Sequence, residues 1–275
     1  MNKSSKTLIA GPWVGEFGWE LFAWQGYIRA LSRNFNKAIV ISRPESKALY
    51  KDFADTFVEF TPPKANADSF FLQNINTLEL FKQVVEENNL ELNSDKVLCL
   101  PRRIGFPPHT HFDQAVPIGG FEVKPEYIRF GKLAKKKYKY ILHARDRDFR
   151  KEDNWNPNNW STLIELLGDG NIACIGTQNG SGYIPGTEDL RGIPLSNLLD
   201  ILHNADCIFG PSSGPIHLSS LCGCPHVVWG DPSKSLGRHN KNWNPLSTPS
   251  LFVGEHLYHP SPEHVFKKYK EWNDD

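Results

Sequence analysis

The stretch Cys207-Ile-Phe-Gly-Pro-Ser-Ser-Gly-Pro-Ile-His-Leu-Ser-Ser-Leu-Cys-Gly-Cys-Pro-His-Val-Val-Trp-Gly230 decides the fold. An apolar run ends at Gly210, a loop of small residues follows, and Pro215 stands where proline suits the first turn of a helix, since its missing amide is not needed there. A second apolar run, His226 to Trp229, comes after that helix. The order of strand, small-residue loop, helix and strand predicts a β-α-β unit of a parallel sheet.

The loop of this unit predicts a phosphate-binding site. Amides near Ile216 and His217 are expected to point out of the helix N-terminus, beside the hydroxyls of Ser212 and Ser213 and the positive end of the helix dipole. The absence of a side chain at Gly214 lets the backbone approach an anion closely. His217 either donates to phosphate or holds the loop, and both interpretations stay open.

The same alternation extends in both directions along the chain, whose 275 residues leave room for two domains. Strand patterns at 138–144, 171–175, 207–210 and 226–229 alternate with helical patterns at 160–167, 195–204 and 215–221. They predict a doubly wound α/β domain that binds its ligand beyond the carboxyl ends of the strands. The amino-terminal half repeats the layout, with strands at 7–10, 38–42, 57–60 and 97–100 and helices at 19–35 and 76–88.

A proline-rich segment, 106–139, interrupts the alternation and is the predicted linker. We therefore expect an amino-terminal domain over 1–135, a carboxyl-terminal domain over 136–258, and a final helix within 259–275 that packs across the linker. The basic tract from Lys132 to Lys139 is typical of a solvated connector, and a contact with phosphate or nucleic acid stays open.

Composition restricts the partners. Lys and Arg number 31 and Asp and Glu also 31, so no global field attracts nucleic acid or an anionic membrane. Five cysteines without Cys-x-x-Cys spacing are expected to be reduced core residues. No signal peptide and no apolar window of roughly 18 residues is recognisable, which predicts a soluble cytoplasmic protein. The pair His109 and His111 is interpreted as incidental, and no metal site is predicted.

Residues 205–225 resemble the nucleotide-diphosphate motif of glycosyltransferase family 9, the heptosyltransferases. That family typically shows Gly-x-Asp-Ser-Gly-Pro-x-His-Leu-Ala, and this chain has Ser212 where the family carries the aspartate. The element Glu188-Asp-Leu-Arg-Gly192 resembles a second family feature, so the resemblance covers about 138 to 232. It implies an α/β fold of GT-B architecture, in which two Rossmann-like doubly wound domains face a central cleft. The first domain would bind the acceptor and the second the nucleotide sugar.

The segment Gly15-Glu-Phe-Gly-Trp-Glu20 lies between the first strand and the first long helix. In the family a Gly-Asp pair in this loop supplies the catalytic carboxylate, and Glu16 is the matching position here. A carboxylate there would take the proton of the attacking acceptor hydroxyl. The alternative is that Glu16 and Glu20 merely cap the helix. The candidate acceptor contacts are Gly15, Gly18, Trp19 and Glu20.

Arginines follow the strand pattern that ends at Ala144. Because arginine forks suit phosphate oxygens, Arg145 and Arg147 are candidate donor contacts. The alternative is surface ion pairing with the acids interleaved among them. Glu188 is a candidate for holding a ribose, or else a solvated loop acid.

These observations together predict an inverting, metal-independent glycosyltransferase that needs no cofactor and uses a nucleotide-diphosphate sugar. The acceptor stays open between a glycan, a lipid-linked sugar and a hydroxymethylated DNA base, although the neutral charge argues against long duplex contact. Two alternatives remain, namely a nucleotide-sugar epimerase and a non-catalytic protein that binds a nucleotide sugar or glycan.

Overall fold

The computed structural model describes residues 4–61, 76–101, 114–168 and 170–274. The chain divides into two compact units, Met1–Tyr127 and Ile128–Asp275. The histidine pair at 109 and 111 lies outside the described residues. Each unit is built around a parallel sheet.

The first unit contains a parallel sheet whose described strands run in the order β3-β2-β1-β4. The strands are β1 Ser4–Ala10, β2 Phe35–Ser42, β3 Thr56–Glu59 and β4 Lys96–Cys99. The helices are α1 Phe17–Ala23, α2 Gln25–Ser32 and α3 Thr77–Glu87, with a 3-10 helix at Pro44–Leu49. Asn76 caps α3 by accepting from the Glu79 amide, and Phe81 and Val84 bury the inner face of that helix against the sheet.

The predicted single helix over 19–35 is wrong. The structure divides it at Trp24, whose backbone dihedrals of −134° and −69° are not helical. The indole of Trp24 is fully buried and stacks on Trp13 at a centroid distance of 5.4 Å. We attribute the break to this packing, because a continuous helix would fix the direction of the Trp24 side chain by the helical repeat and not by its contact with Trp13. The last residue of the predicted helix, Phe35, begins β2 instead.

The segment predicted as a linker contains a small antiparallel hairpin among its described residues. Strands β5 Val116–Ile118 and β6 Phe121–Val123 are joined by Gly119 and Gly120, both with positive φ. Two such glycines suit a tight hairpin turn. Each of these strands has three residues, with Pro117 or Glu122 at its centre, so neither shows the continuous apolar run that predicts the other strands.

The second unit contains a parallel sheet whose described strands run in the order β12-β11-β10-β7-β8-β9. They are β7 Tyr140–Leu142, β8 Ile172–Cys174, β9 Glu188–Asp189, β10 Cys207–Pro211, β11 His226–Trp229 and β12 Ser250–Val253. Counted from β7 as first, this is the 3-2-1-4-5-6 order of the Rossmann fold, with the chain reversing its direction of growth between β7 and β10. The predicted doubly wound sheet is confirmed, and β9 and β12 extend it.

The helices of the second unit cover this sheet. They are α4 Asn158–Leu167, α5 Leu195–His203, α6 Gly214–Cys222, α7 Pro232–Gly237 and α8 Pro262–Asp274, with a π-helical turn at Arg238–Asn242. The final helix, α8, packs on α4 and β12 and buries Val265 and Tyr269 in the core of this unit. Its crossing of the linker stays a prediction. Among the described residues, no helix combines the length and the apolar character that a membrane crossing requires.

Candidate functional site

The predicted phosphate cradle lies at the carboxyl end of β10, next to the reversal point of the second sheet. Ser213 is the N-cap of α6, in extended conformation, and its side chain makes no capping hydrogen bond. Its hydroxyl oxygen is buried and has no hydrogen-bond partner within the part of the chain that the structure describes. A buried hydroxyl that lacks a partner is costly, so this oxygen is suited to a ligand.

The helix begins at Gly214, one residue earlier than predicted, and this changes which amides face outward. The amide of His217 donates to the Ser213 carbonyl at 3.0 Å, so its predicted outward orientation is wrong. The amides of Gly214 and Ile216 have no backbone acceptor among the described residues. These amides, the Ser213 hydroxyl and the helix dipole make the N-terminal end of α6 a candidate anion site.

A cluster of three buried histidines lies behind the cradle. His217 stacks on His239 of the π-helical turn, with ring centroids 4.3 Å apart and planes 10° apart, and His226 lies 5.6 Å from His239. Burial lowers the pKa of all three, that of His226 to about 4, so the rings are neutral at pH 7. Within the described ranges no group of His, Cys, Asp or Glu has a metal-binding arrangement. The ring of His217 packs behind the loop through its stacking on His239, and its contact with phosphate stays a prediction.

His239 was not predicted from the sequence. Its Nε2 lies 3.1 Å from the Oγ of Ser212, which joins the π-helical turn to the cradle. No motif marks position 239, and the contact spans 27 residues, so periodicity carries no signal for it.

Arg145 and Arg147 follow β7 at the same sheet edge as the cradle, but Arg145 is already engaged. Its guanidinium donates to the carbonyls of Phe149 and Arg150, at 2.7 and 2.9 Å, and to the side chain of Asn154. It is 6% exposed. In the structure Arg145 stabilises the loop that follows β7, whereas the sequence predicts that it contacts phosphate. Arg147 is half-buried and remains the candidate phosphate contact.

Glu188 lies away from the cradle. It begins β9, and its carboxylate pairs at 2.8 Å with Lys137, which precedes the first residue of β7. Because parallel strands share their amino-terminal edge, this pair marks the edge opposite Ser212. The hydrogen bond from Lys137 lowers the pKa of Glu188. Its predicted ribose contact does not fit this position, and the solvated acid fits better.

In the first unit, Glu16 is the N-cap residue of α1 and is half-buried. Its side chain makes no capping hydrogen bond, although the N-cap position itself suits an acid beside the positive end of the helix dipole. Gly15 precedes it in a buried position, where an added Cβ would lie 2.5 Å from the Trp13 ring. Gly18 and Trp19 are half-buried in the first turn of α1.

Glu20 has no exposed surface and belongs to an internal network. Its carboxylate accepts hydrogen bonds from Ser42 at 2.5 Å, Ser46 at 2.7 Å and Tyr50 at 2.7 Å. The guanidinium of Arg43 lies 3.8 Å away. The predicted acceptor contact does not fit a carboxylate so fully engaged. Arg43 was not predicted as a site residue. It directly follows the carboxyl end of β2, and an arginine at the carboxyl end of a parallel strand is a signal that the sequence does contain.

Several solved structures similar to the chain are glycosyltransferases. They include the glycosyl transferase family 9 protein from Veillonella parvula DSM 2008, with a TM-score of 0.62 and 12% identity over 98% of both chains. The E. coli ADP-heptose lps heptosyltransferase II has a TM-score of 0.61 and 11% identity, over 97% of this chain and 98% of that one. The structure of E. coli heptosyltransferase WaaC with ADP-2-deoxy-2-fluoro heptose has a TM-score of 0.59 and 12% identity, over 98% of both chains. No family model and no curated protein sequence matches. The chain has the GT-B fold that its resemblance predicted.

Proposed function

We propose that this protein is a glycosyltransferase that moves a sugar from a nucleotide-diphosphate donor to an acceptor hydroxyl. The observation that carries the proposal is the cradle at the start of α6, where the buried Ser213 hydroxyl lies beside the amides of Gly214 and Ile216. It lies at the carboxyl edge of the sheet, beside the reversal point, where Rossmann-type sheets bind nucleotides. The GT-B fold supports the same assignment, and heptosyltransferases of this fold have been solved with ADP or an ADP sugar.

On the donor side, the hydroxyls of Ser212 and Ser213 and the amides of Gly214 and Ile216 would bind the diphosphate. Arg147, at the same edge of the sheet, would add positive charge as the diphosphate leaves. His217 holds the loop from behind through its stacked ring. Glu188 has no part in the proposed site, since its ion pair with Lys137 marks the other edge.

On the acceptor side, Glu16 would act as the general base. Its carboxylate takes the proton of the acceptor hydroxyl as that oxygen bonds to the anomeric carbon, and the bond to the diphosphate breaks with its electron pair on the leaving group. Attack from the face opposite the leaving group inverts the anomeric centre. Gly15, Gly18 and Trp19 border Glu16 and are the proposed acceptor contacts.

The proposed reaction uses no divalent ion and no cofactor. The sequence basis is that Asp146 and Asp148, the nearest pair to an Asp-x-Asp motif, are interleaved with arginines. Cationic and dipolar groups of the protein would then stabilise the leaving diphosphate. We propose a glycan or lipid-linked sugar as acceptor ahead of modified DNA, since the charge of the chain is balanced. The five buried cysteines are free thiols, which suits the proposed cytoplasmic location.

A donor turnover assay tests this function. Purified protein is incubated with each of a panel of nucleotide sugars, with and without a pool of candidate acceptor glycans, and nucleoside diphosphate release is measured. A transferase releases diphosphate in an acceptor-dependent manner. A nucleotide-sugar epimerase would change the donor with no acceptor present, and a binding protein would bind the donor without turnover. Either of those two outcomes would contradict the proposal.

A further inference from the structure

The ring of His239 lies within hydrogen-bonding range of a cradle hydroxyl, that of Ser212. It is 1% exposed, and its Nε2 lies 3.1 Å from the Oγ of Ser212. His239 sits on the π-helical turn Arg238–Asn242, a conformation that is rare and frequently found at functional sites. Contact with the cradle from such a turn suggests a role beyond filling space.

His239 is held in place by contacts with α6 and β12. It stacks on His217 of α6, and Ser250 at the start of β12 donates to its backbone carbonyl at 3.3 Å. Burial lowers the pKa of His239, so the ring is neutral and has one donor nitrogen and one acceptor nitrogen. The direction of the hydrogen bond to Ser212 therefore depends on the tautomer.

We propose that His239 is a positioning residue for the donor diphosphate, because its Nε2–H donates to Ser212 and directs the serine hydroxyl proton toward the phosphate. This proposal rests on the proposed function. In the opposite tautomer Ser212 would donate to the ring and present only lone pairs to an anion. A bound phosphate would select the first tautomer, since a hydroxyl that donates to an anion makes a charge-assisted hydrogen bond.

The side chain of glutamine or asparagine can separate this role from packing. The amide nitrogen of glutamine lies near the position of Nε2, whereas that of asparagine lies near Nδ1. His239→Gln can therefore still donate to Ser212, and His239→Asn cannot. His239→Leu removes the hydrogen bond while keeping apolar volume.

The experiment measures dissociation constants by calorimetry, with ADP, UDP, GDP, CDP and dTDP as probes. We expect His239→Asn and His239→Leu to weaken the tightest-bound diphosphate by about 10-fold, the size of one hydrogen bond to a charged group, and His239→Gln to stay within about 2-fold of wild type. In the Ser212→Ala background, His239→Leu should have no further effect, because the two residues act as one unit. Melting temperatures identify any variant that is not folded. If His239→Leu does not fold, the comparison of His239→Gln with His239→Asn still tests the proposal.

Two results would overturn the proposal. Equal affinity of the folded glutamine and asparagine variants would show that the ring only packs. Additive losses in the double variant would show that Ser212 and His239 act independently. If wild type bound none of the five diphosphates, the proposed function would fail and this proposal with it, which is distinguishable from binding that is insensitive to His239.

Discussion

The guanidinium of Arg43 donates to the backbone carbonyl of Gly15, the residue immediately before Glu16. Arg43 also lies 3.8 Å from the buried carboxylate of Glu20. One arginine therefore connects the loop that carries the proposed base to an internal network one helical turn later. The two glutamates of this segment have separate tasks, with Glu20 fixing the loop and Glu16 proposed for the chemistry.

The first prediction concerns Glu16→Gln, which keeps the shape of the side chain and removes its basicity. Turnover should fall by about 10²- to 10⁴-fold, the usual contribution of a general base, while diphosphate affinity stays unchanged. Steady-state kinetics together with calorimetric titration of the diphosphate measures both quantities. Near-normal turnover in the folded variant would show that Glu16 is not the base.

The second prediction concerns Glu20→Gln, which should act on stability. The amide group of glutamine replaces one acceptor oxygen with an NH₂ donor, which then faces a serine hydroxyl that donates to Glu20 in the wild type. Arg43 also loses its negatively charged partner. Burial and the charge of Glu20 raise the pKa of Tyr50, so that hydroxyl remains a donor. We expect the free energy of unfolding to fall by about 1–3 kcal/mol in urea titrations.

The matched control for that variant is Glu59→Gln. The Glu59 carboxylate is 57% exposed and lies 3.7 Å from Lys47, and exposed pairs of this kind contribute about 0–1 kcal/mol. A loss in Glu20→Gln no larger than in this control would show that the internal network does not stabilise the fold.

The third prediction is a pH dependence of stability that comes from buried neutral histidines. Burial lowers the pKa of His143 and of His226 from 6.5 to about 4. Between these values the unfolded chain binds more protons than the folded one, so the free energy of unfolding falls as the pH drops from about 6.5 toward about 4. Each histidine contributes up to about 1.4 kcal/mol per pH unit.

His226→Asn isolates one of these contributions. The Nδ1 atom of His226 lies 3.2 Å from the carbonyl of Cys224, and an asparagine amide can donate from that position without titrating. Urea unfolding at pH 7.5 and pH 5 should show a smaller loss of stability on acidification in the variant. An identical loss in both proteins would contradict the assignment of a neutral His226.

The fourth prediction is that turnover is independent of divalent ions. Treatment with a chelator, followed by desalting, should leave the rate of acceptor-dependent diphosphate release unchanged, and added manganese should not raise it. Loss of activity with chelator and its recovery with manganese would move the protein to the metal-dependent class.

The parts of the fold that could be predicted are those in which neighbouring residues carry the signal. The strand and helix around Gly210 to Cys222 follow from an apolar run, small residues and a proline, and the structure confirms them to within a residue at most boundaries. Strand β9 is the acidic pair Glu188–Asp189, and the hairpin strands have Pro117 and Glu122 at their centres, so none of them shows the apolar run that predicts β7 and β8.

The partners of the candidate site residues could not be predicted, because they come from distant parts of the chain. Glu20 meets Tyr50 across 30 residues, and the type of residue at position 20 does not indicate whether it is buried. The guanidinium of Arg145 and its position after a strand predict a phosphate ligand, but hydrogen bonds to the following loop use three of its five N–H donors. Residue type and strand position identify the edge of the sheet, and only the folded contacts distinguish a ligand-binding side chain from one that shapes the site.

The most direct test of the central claim is nucleoside diphosphate binding by Gly214→Val. A valine side chain at the first residue of α6 would obstruct the approach of phosphate to the cradle amides. Because several hydrogen bonds to an anion would be lost, the dissociation constant of the diphosphate should rise by at least about 100-fold. The control is Gly237→Val at the end of α7, where an added Cβ meets just one atom of Asn242 at 3.6 Å. Wild type and Gly237→Val should bind the diphosphate alike and gain melting temperature with it, and Gly214→Val should not. Unchanged diphosphate affinity in a folded Gly214→Val protein would contradict the cradle and the transferase function built on it.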